Sequence, residues 1–206
     1  MSLPALISKL SGRTPRFVTV SGRVVSGAEV VATSDGHHHP DHGYVTPIRR
    51  HTNHGGSASP ETHVSPWWEA APDQLELEKV AMGKAFPGFA FDEIGGRPAW
   101  RGKVNTGRGT FEITIVHRPD HRTPRVVPTT RSLLRRQEGR HQRWSSHLYL
   151  NGDLCVAEDA DWNPARDDAV TVVAWAAHWL ASFTEWRISG RGWPAEGVSV
   201  DVFQHE

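Results

Sequence analysis

An α+β fold is predicted for this 206-residue chain by three observations. A helical signal over residues 72–86 comes first, three or four short β-rich runs follow it, and a second, stronger helical signal covers 167–187. Strands grouped between helices, rather than alternating with them, point to helices laid against one antiparallel sheet. The length suits one domain with an appended segment, enough to bury a core without metal or disulfide staples.

Residues 1–66 read as a Gly/Pro/His-rich N-terminal extension of short strands and linker. "RFVTVSGRVVSGAEVVATSDG" alternates apolar with small or polar residues around glycines, so one or two short strands are expected there. "HHHPDHGYVTPIRRHTNHGGSASPETHVSP" has neither helical nor strand period and is expected to be a long loop. Seven of the 13 histidines fall here: His37, His38, His39, His42, His51, His54 and His63. A metal site is weighed against that cluster's lack of cysteine and of any scaffold to fix ligand geometry, and a polar linker is preferred. Removing residues 1–66 is therefore expected to leave the remaining body folded.

From residue 67 the pattern tightens. In "PDQLELEKVAMGKAF", Leu75, Leu77, Val80, Ala81 and Met82 stand near helical spacing behind a Pro72-Asp73 start. "PAWRGKV", "TFEITIVH" and "PRVVPTT" are the strands of a meander, with Pro119 and Pro124 marking a turn. "TRSLLRRQEGRHQRWSS" is expected to be a polar, basic connection. In "DDAVTVVAWAAHWLASFTEWR", Val172, Trp175, Ala176, Trp179, Leu180 and Phe183 form one apolar stripe. Asp167 and Asp168 are expected in its first turn, where acids suit the helix dipole.

Composition narrows the function. Lys plus Arg equals Asp plus Glu at 23 each, which argues against broad electrostatic binding of nucleic acid or of an anionic membrane. No window has the length of a membrane span, and the start of the chain lacks the apolar run of a secretory signal. A single cysteine makes no internal disulfide, so a reducing cytoplasm is the expected setting. No Walker-type loop or G-x-G-x-x-G stretch follows a strand, so no nucleotide cofactor is expected and none of another kind is implied. Of the nine tryptophans, Trp67, Trp68 and Trp193 are the candidates for partner contact.

The one cysteine lies in "HLYLNGDLCVAEDADWNP". Asn151-Gly152 is a turn signal, and Leu154 can anchor the backbone behind it. Cys155 then falls on irregular structure at a sheet edge, where a packing cysteine and a reactive one both remain open. "DWNP" reads as a helix start, Trp162 packing inward, Asn163 capping and Pro164 taking the first helical position. His147, eight residues before Cys155, can return to the thiol across the turn.

The meander "TFEITIVHRPDHRTPRVVPTT", then "NGDLC", then "WNPARDDAVTVVAWAAHWL" resembles ubiquitin-conjugating enzymes over roughly residues 70–190. The resemblance implies a UBC-like fold over 67–206: N-terminal helix, strand meander, irregular active-site segment, C-terminal helix. The family's His-Pro-Asn tripeptide is absent, and His147 occupies the place of its asparagine. The basic insert at 131–146, Trp175 with Trp179, and "WRISGRGWP" look more like bacterial members, in particular the conjugating-enzyme component of type II CBASS, an anti-phage system.

That resemblance implies thioester chemistry at Cys155, with His147 as donor to the oxyanion. Glu158, Asp159 or Asp161 would orient or deprotonate an attacking amine. Asn151, Gly152 and Trp162 would support the loop. Acids near a thiol disfavour its thiolate form, which suits a carrier better than a protease. The implied partners are an adenylating activating enzyme and a cGAS-like nucleotidyltransferase or another protein substrate. The alternatives are an inactive UBC-fold scaffold and, more weakly, a His-rich metal-responsive protein.

Overall fold

The structure is a computed structural model that describes residues 14–53, 55–129, 134–138, 141–145, 147–190 and 192–194. The α+β class holds, with a difference: the described residues form two separate antiparallel sheets and a ribbon, not one sheet. The first sheet is N-terminal and five-stranded, from β1 (Arg16–Thr19), β2 (Val24–Ser26), β3 (Val31–Thr33), β4 (Gly36–His39) and β5 (Gly43–Pro47), in the order β2-β1-β5-β4-β3. Two short helices follow, α1 (Trp67–Ala70) and α2 (Pro72–Ala85). The second sheet is the meander β6 (Ala90–Ile94), β7 (Arg97–Asn105), β8 (Thr110–Val116) and β9 (Arg125–Pro128). A ribbon of β10 (Arg135–Glu138) and β11 (His141–Trp144) stands where a polar connection was expected, and Leu134 before it is buried. The last helix is α3 (Ala169–Ser189).

The meander is built as alternation dictates. Along β7, Trp100, Gly102 and Val104 face the core while Arg101, Lys103 and Asn105 face out. On β8, Phe111, Ile113 and Ile115 are buried against α3, with Phe111 edge-on to Phe183. The α2 stripe differs from its reading: Leu77 and Val80 are 72% and 73% exposed, and the inward face is Glu78, Met82 and Ala85. Charge, not apolarity, was the inward signal at position 78.

Helix α3 is the centre of the molecule. Fifteen of its 21 residues are buried, far more than one stripe. A helix apolar all round needs cover all round, and the N-terminal sheet supplies the second wall. Val18 and Val24 share one core with Met82, Phe86, Ile113, Trp175 and Trp179, and Arg16 NH1 lies 3.4 Å from His178 Nε2 on α3. The loop expected over 37–66 instead begins with a hairpin, β4 pairing β5 from His37 to His39 and β5 running to Pro47.

The start of α3 corrects a second reading. Asn163 and Pro164 do not open it. Asn163 heads a separate turn, its Oδ1 accepting from Ala165 N at 3.0 Å and its carbonyl from Asp167 N at 2.8 Å. Asp168 is the cap, accepting from Thr171 N at 3.1 Å, an arrangement worth about 1 kcal/mol. Glu78 Oε2 takes the Ala169 N–H at 3.0 Å. Two of the orphan donors at the helix start are therefore met by carboxylates, and the helix opens five residues later than Asn163-Pro164 suggested.

Candidate active site

The hairpin that carries Cys155 is assembled from short-range hydrogen bonds. Gly152 N donates to Tyr149 O at 2.8 Å and Tyr149 N to Asp153 O at 2.9 Å, closing the turn. Gly152 has φ +85°, the left-handed conformation that glycine adopts without a Cβ penalty. Asn151 Oδ1 accepts from Asp153 N at 3.0 Å and its Nδ2 donates to Asp153 Oδ2 at 2.9 Å. That carboxylate, buried, also takes Arg125 Nε at 2.8 Å. Leu154 N donates to Val126 O at 2.9 Å, so β9 of the meander fixes the position of the residue before the cysteine.

Cys155 is fully buried. Its N–H donates to the His147 carbonyl at 3.1 Å, and its thiol points toward Ala157 O at 3.9 Å. The Tyr149 phenol hydrogen-bonds the same thiol; burial first, then that bond and the charge beside it, push the phenol well above its ordinary pKa. Tyr149 is a site residue that sequence reasoning missed. Its signal was its place two residues after His147, on the arm of the turn that faces Cys155.

The structure brings His147 to Cys155 through the main chain. His147 has φ +67°, a costly conformation for a side chain with a Cβ, and its carbonyl accepts from both Cys155 N and Trp179 Nε1, the latter at 3.1 Å. α3 thus locks the backbone on which the cysteine hangs. The imidazole packs 4.9 Å from Trp193, which in turn lies 5.2 Å from Trp179.

The acids after the cysteine form a short 3-10 turn, Asp159–Asp161, with a reciprocal capping box between Glu158 and Asp161. Asp161 Oδ2 accepts from Thr52 N at 2.7 Å and from Glu158 N at 3.2 Å. Asp159 accepts from Ser59 Oγ at 2.7 Å and stands 3.8 Å from Arg122. Glu158 and Asp159 are exposed. Trp162 supports the loop from below, its Nε1 donating to His121 O at 2.8 Å. Beside the cysteine lies a small cleft of about 30 Å³ whose lining includes Ser59, Arg118, Thr123, Arg125, Tyr149 and Asp159.

The other expected sites fare differently. Trp67 is buried, stacked on His121 at 4.5 Å, so it is a core residue rather than a partner contact; Trp68 and Trp193 are half-buried. The histidines disperse: His39 packs on His42, His51 bonds His178 at 3.1 Å, and His63 is exposed. His54 lies outside the described residues. Among those described, no group of three or more His, Cys, Asp or Glu is placed to hold a metal ion, and no helix is long and apolar enough to cross a membrane.

Glu78 is the second group missed from sequence. Buried in α2, it accepts from Trp100 Nε1 at 2.9 Å and Ala169 N at 3.0 Å, and its Oε1 lies 2.8 Å from His117 Nε2. Burial alone would raise its pKa. The hydrogen bonds and the neighbouring His117 outweigh it and hold the carboxyl below its ordinary value. It ties α2, β7, the end of β8 and the start of α3 together.

Comparison with known proteins follows the same line. The family model of the type II CBASS E2 protein matches residues 78–200, which takes in the meander, Cys155 and α3. Searches among curated proteins and among solved structures find no match. With more than half its length covered, and with the helix-meander-turn-helix order in place, the chain belongs to the type II CBASS E2 family.

Proposed function

We propose that the chain is a UBC-like acyl carrier that forms a thioester at Cys155. Membership of an E2 family gives a conjugating-type enzyme. The observation that carries the finer reading is the construction of the cysteine hairpin. Its backbone is fixed by His147, Val126 and Trp179, and its thiol faces a phenol that lines a small cleft. A cysteine used only for packing needs none of these anchors.

In the first step the Cys155 thiolate attacks the carbonyl carbon of an activated carboxyl terminus. A C–S bond forms, the C–O bond to the activating group breaks, and the thiol proton passes to solvent. In the second an amine attacks: a C–N bond forms, C–S breaks, the thiolate returns, and the amine gives up a proton. His147 is assigned to the oxyanion, where one donor is worth about 3 kcal/mol. Asp159 and Glu158, exposed beside the cleft, are assigned to orienting or deprotonating the amine. Asp161, whose Oδ2 is occupied by two main-chain N–H groups, serves to hold the turn.

A free carboxylate does not acylate a thiol unaided, and the sequence holds no phosphate-binding loop, so an adenylating partner supplies the activated donor. Family membership implies partnership with other CBASS components; among these we assign an activating enzyme, with a cGAS-like nucleotidyltransferase as the protein conjugated, in the cytoplasm.

The complete burial of Cys155 favours a second reading, an inactive UBC-fold scaffold. One experiment separates the two. With activating enzyme, donor and ATP, Cys155→Ser should trap a longer-lived oxygen ester and Cys155→Ala should give no adduct. No adduct on either the wild-type or the serine chain would leave the scaffold.

A further inference from the structure

The polypeptide between the two sheets does not hang free. From Gly55 to Thr62 it passes beside the cysteine hairpin and is held at Gly56 and from Ser59 to Thr62. Gly56 forms a parallel β-bridge with Tyr149, and Leu150 N donates to Gly56 O at 2.9 Å. Ser59 Oγ donates to Asp159 at 2.7 Å. The buried Arg118 guanidinium donates to Ser59 O at 3.1 Å and Pro60 O at 2.9 Å while gripping Asp120 through Nε and NH2. Glu61 accepts from Arg97 at 2.6 Å, and Thr62 N donates to Asp120 at 3.0 Å.

Most of these contacts use main-chain groups of the strap, the manner in which an extended chain is recognised on a strand edge. The surface beneath it, from the Tyr149–Leu150 edge to Arg118, reads backbone rather than side-chain identity. Tyr149 is the link to the thiol: its main chain pairs with Gly56 and its phenol bonds Cys155, which is fully buried.

Building on the acyl-carrier reading, we infer that residues 55–62 fill in cis a groove for an extended polypeptide beside Cys155, and that they must lift before the cysteine takes a donor. The strap is an autoinhibitory stand-in for the extended tail of a partner protein. Its anchors are a handful of polar contacts with no large apolar side chain among residues 55–62, so it can leave while both sheets stay closed on α3.

Alkylation of Cys155, the one thiol of the chain, measures the opening directly in the intact protein. Gly56 has φ +103° and open space where a Cβ would stand. Gly56→Val therefore penalises the seated backbone by conformation alone. Ser59→Ala with Glu61→Ala removes two side-chain anchors without touching Gly56. In either variant the opened population, and so the alkylation rate by iodoacetamide under native conditions, should rise about tenfold or more. Unfolding monitored in parallel should stay cooperative, and if one variant fails to fold the other decides. Equal alkylation rates in the wild type and a folded variant would overturn the inference. Rapid alkylation without thioester formation in any variant, with a competent activating enzyme, would instead defeat the acyl-carrier reading and leave the strap in place.

Discussion

A chain beginning at Ser65 should lose most of its stability. The deletion takes away Val18 and Val24, which pack in the main core, and uncovers the face of α3 that bears Trp175 and His178. Trp175 is 1% exposed, its Nε1 donates to Arg49 O at 3.1 Å, and the His51 ring lies 5.5 Å away. Losing the burial of Val18, Val24 and Trp175, at roughly 2 kcal/mol each, costs about 6 kcal/mol. Asp167, with a fully buried side chain, also loses its Arg49 partner; since Arg49 is 40% exposed this adds only about 1 kcal/mol. Against a total of about 5–15 kcal/mol for a domain, the loss is most or all of the stability. Urea unfolding followed by tryptophan fluorescence measures it. A truncated chain with a cooperative transition near the full-length midpoint would refute the two-wall packing of α3 and restore residues 1–66 as a dispensable extension.

Three further outcomes follow from the same contacts. Glu78→Ala should cost about 3–5 kcal/mol in urea unfolding, because it strips partners from buried His117, Trp100 Nε1 and the first N–H of α3. Acid should weaken the join between the N-terminal sheet and α3: burial first, then His51 and Arg16, push His178 down to about 3, and burial likewise lowers His51. The unfolded chain takes up those protons near pH 6.5 and the folded one does not, so stability should fall as pH drops from about 6.5 toward 3, by up to about 1.4 kcal/mol per unit for His178 alone; His178→Asn should flatten that slope. His147→Ala should slow discharge of the thioester to an amine about a hundredfold in single turnover while slowing loading less; equal slowing of both steps would reduce His147 to its backbone role.

The parts of the fold that rest on local pattern were legible. Alternation in "PAWRGKV" and "TFEITIVH" gave β7 and β8, the Pro72 start gave α2, and Asn151-Gly152 gave the hairpin that holds Cys155. What escaped was set by tertiary cover. The sequence of α3 is apolar nearly all round, which is the mark of a helix with two walls; attention to one stripe hid the second sheet. His37, His38 and His39 looked like linker, yet they pair with β5, because strand pairing satisfies the backbone whatever the side chains. Asn163-Pro164 carried a helix-start signal that the carboxylates of Asp168 and Glu78 displaced by five residues. At the site, the lone cysteine, the spacing of His147 from it and the resemblance to conjugating enzymes drew attention to Cys155, His147 and the acids. Tyr149 and Arg118 have no motif, since their roles depend on the strap folding back across the hairpin.

The central claim is a carboxyl terminus held on Cys155. Intact-mass measurement of the chain after incubation with its activating enzyme, a donor protein and ATP tests it most directly. The account predicts a gain of one donor mass less one water, removed by neutral hydroxylamine or reductant and absent from Cys155→Ala. An adduct that persists on Cys155→Ala, or a chain that stays unmodified while the activating enzyme itself becomes charged, would contradict it.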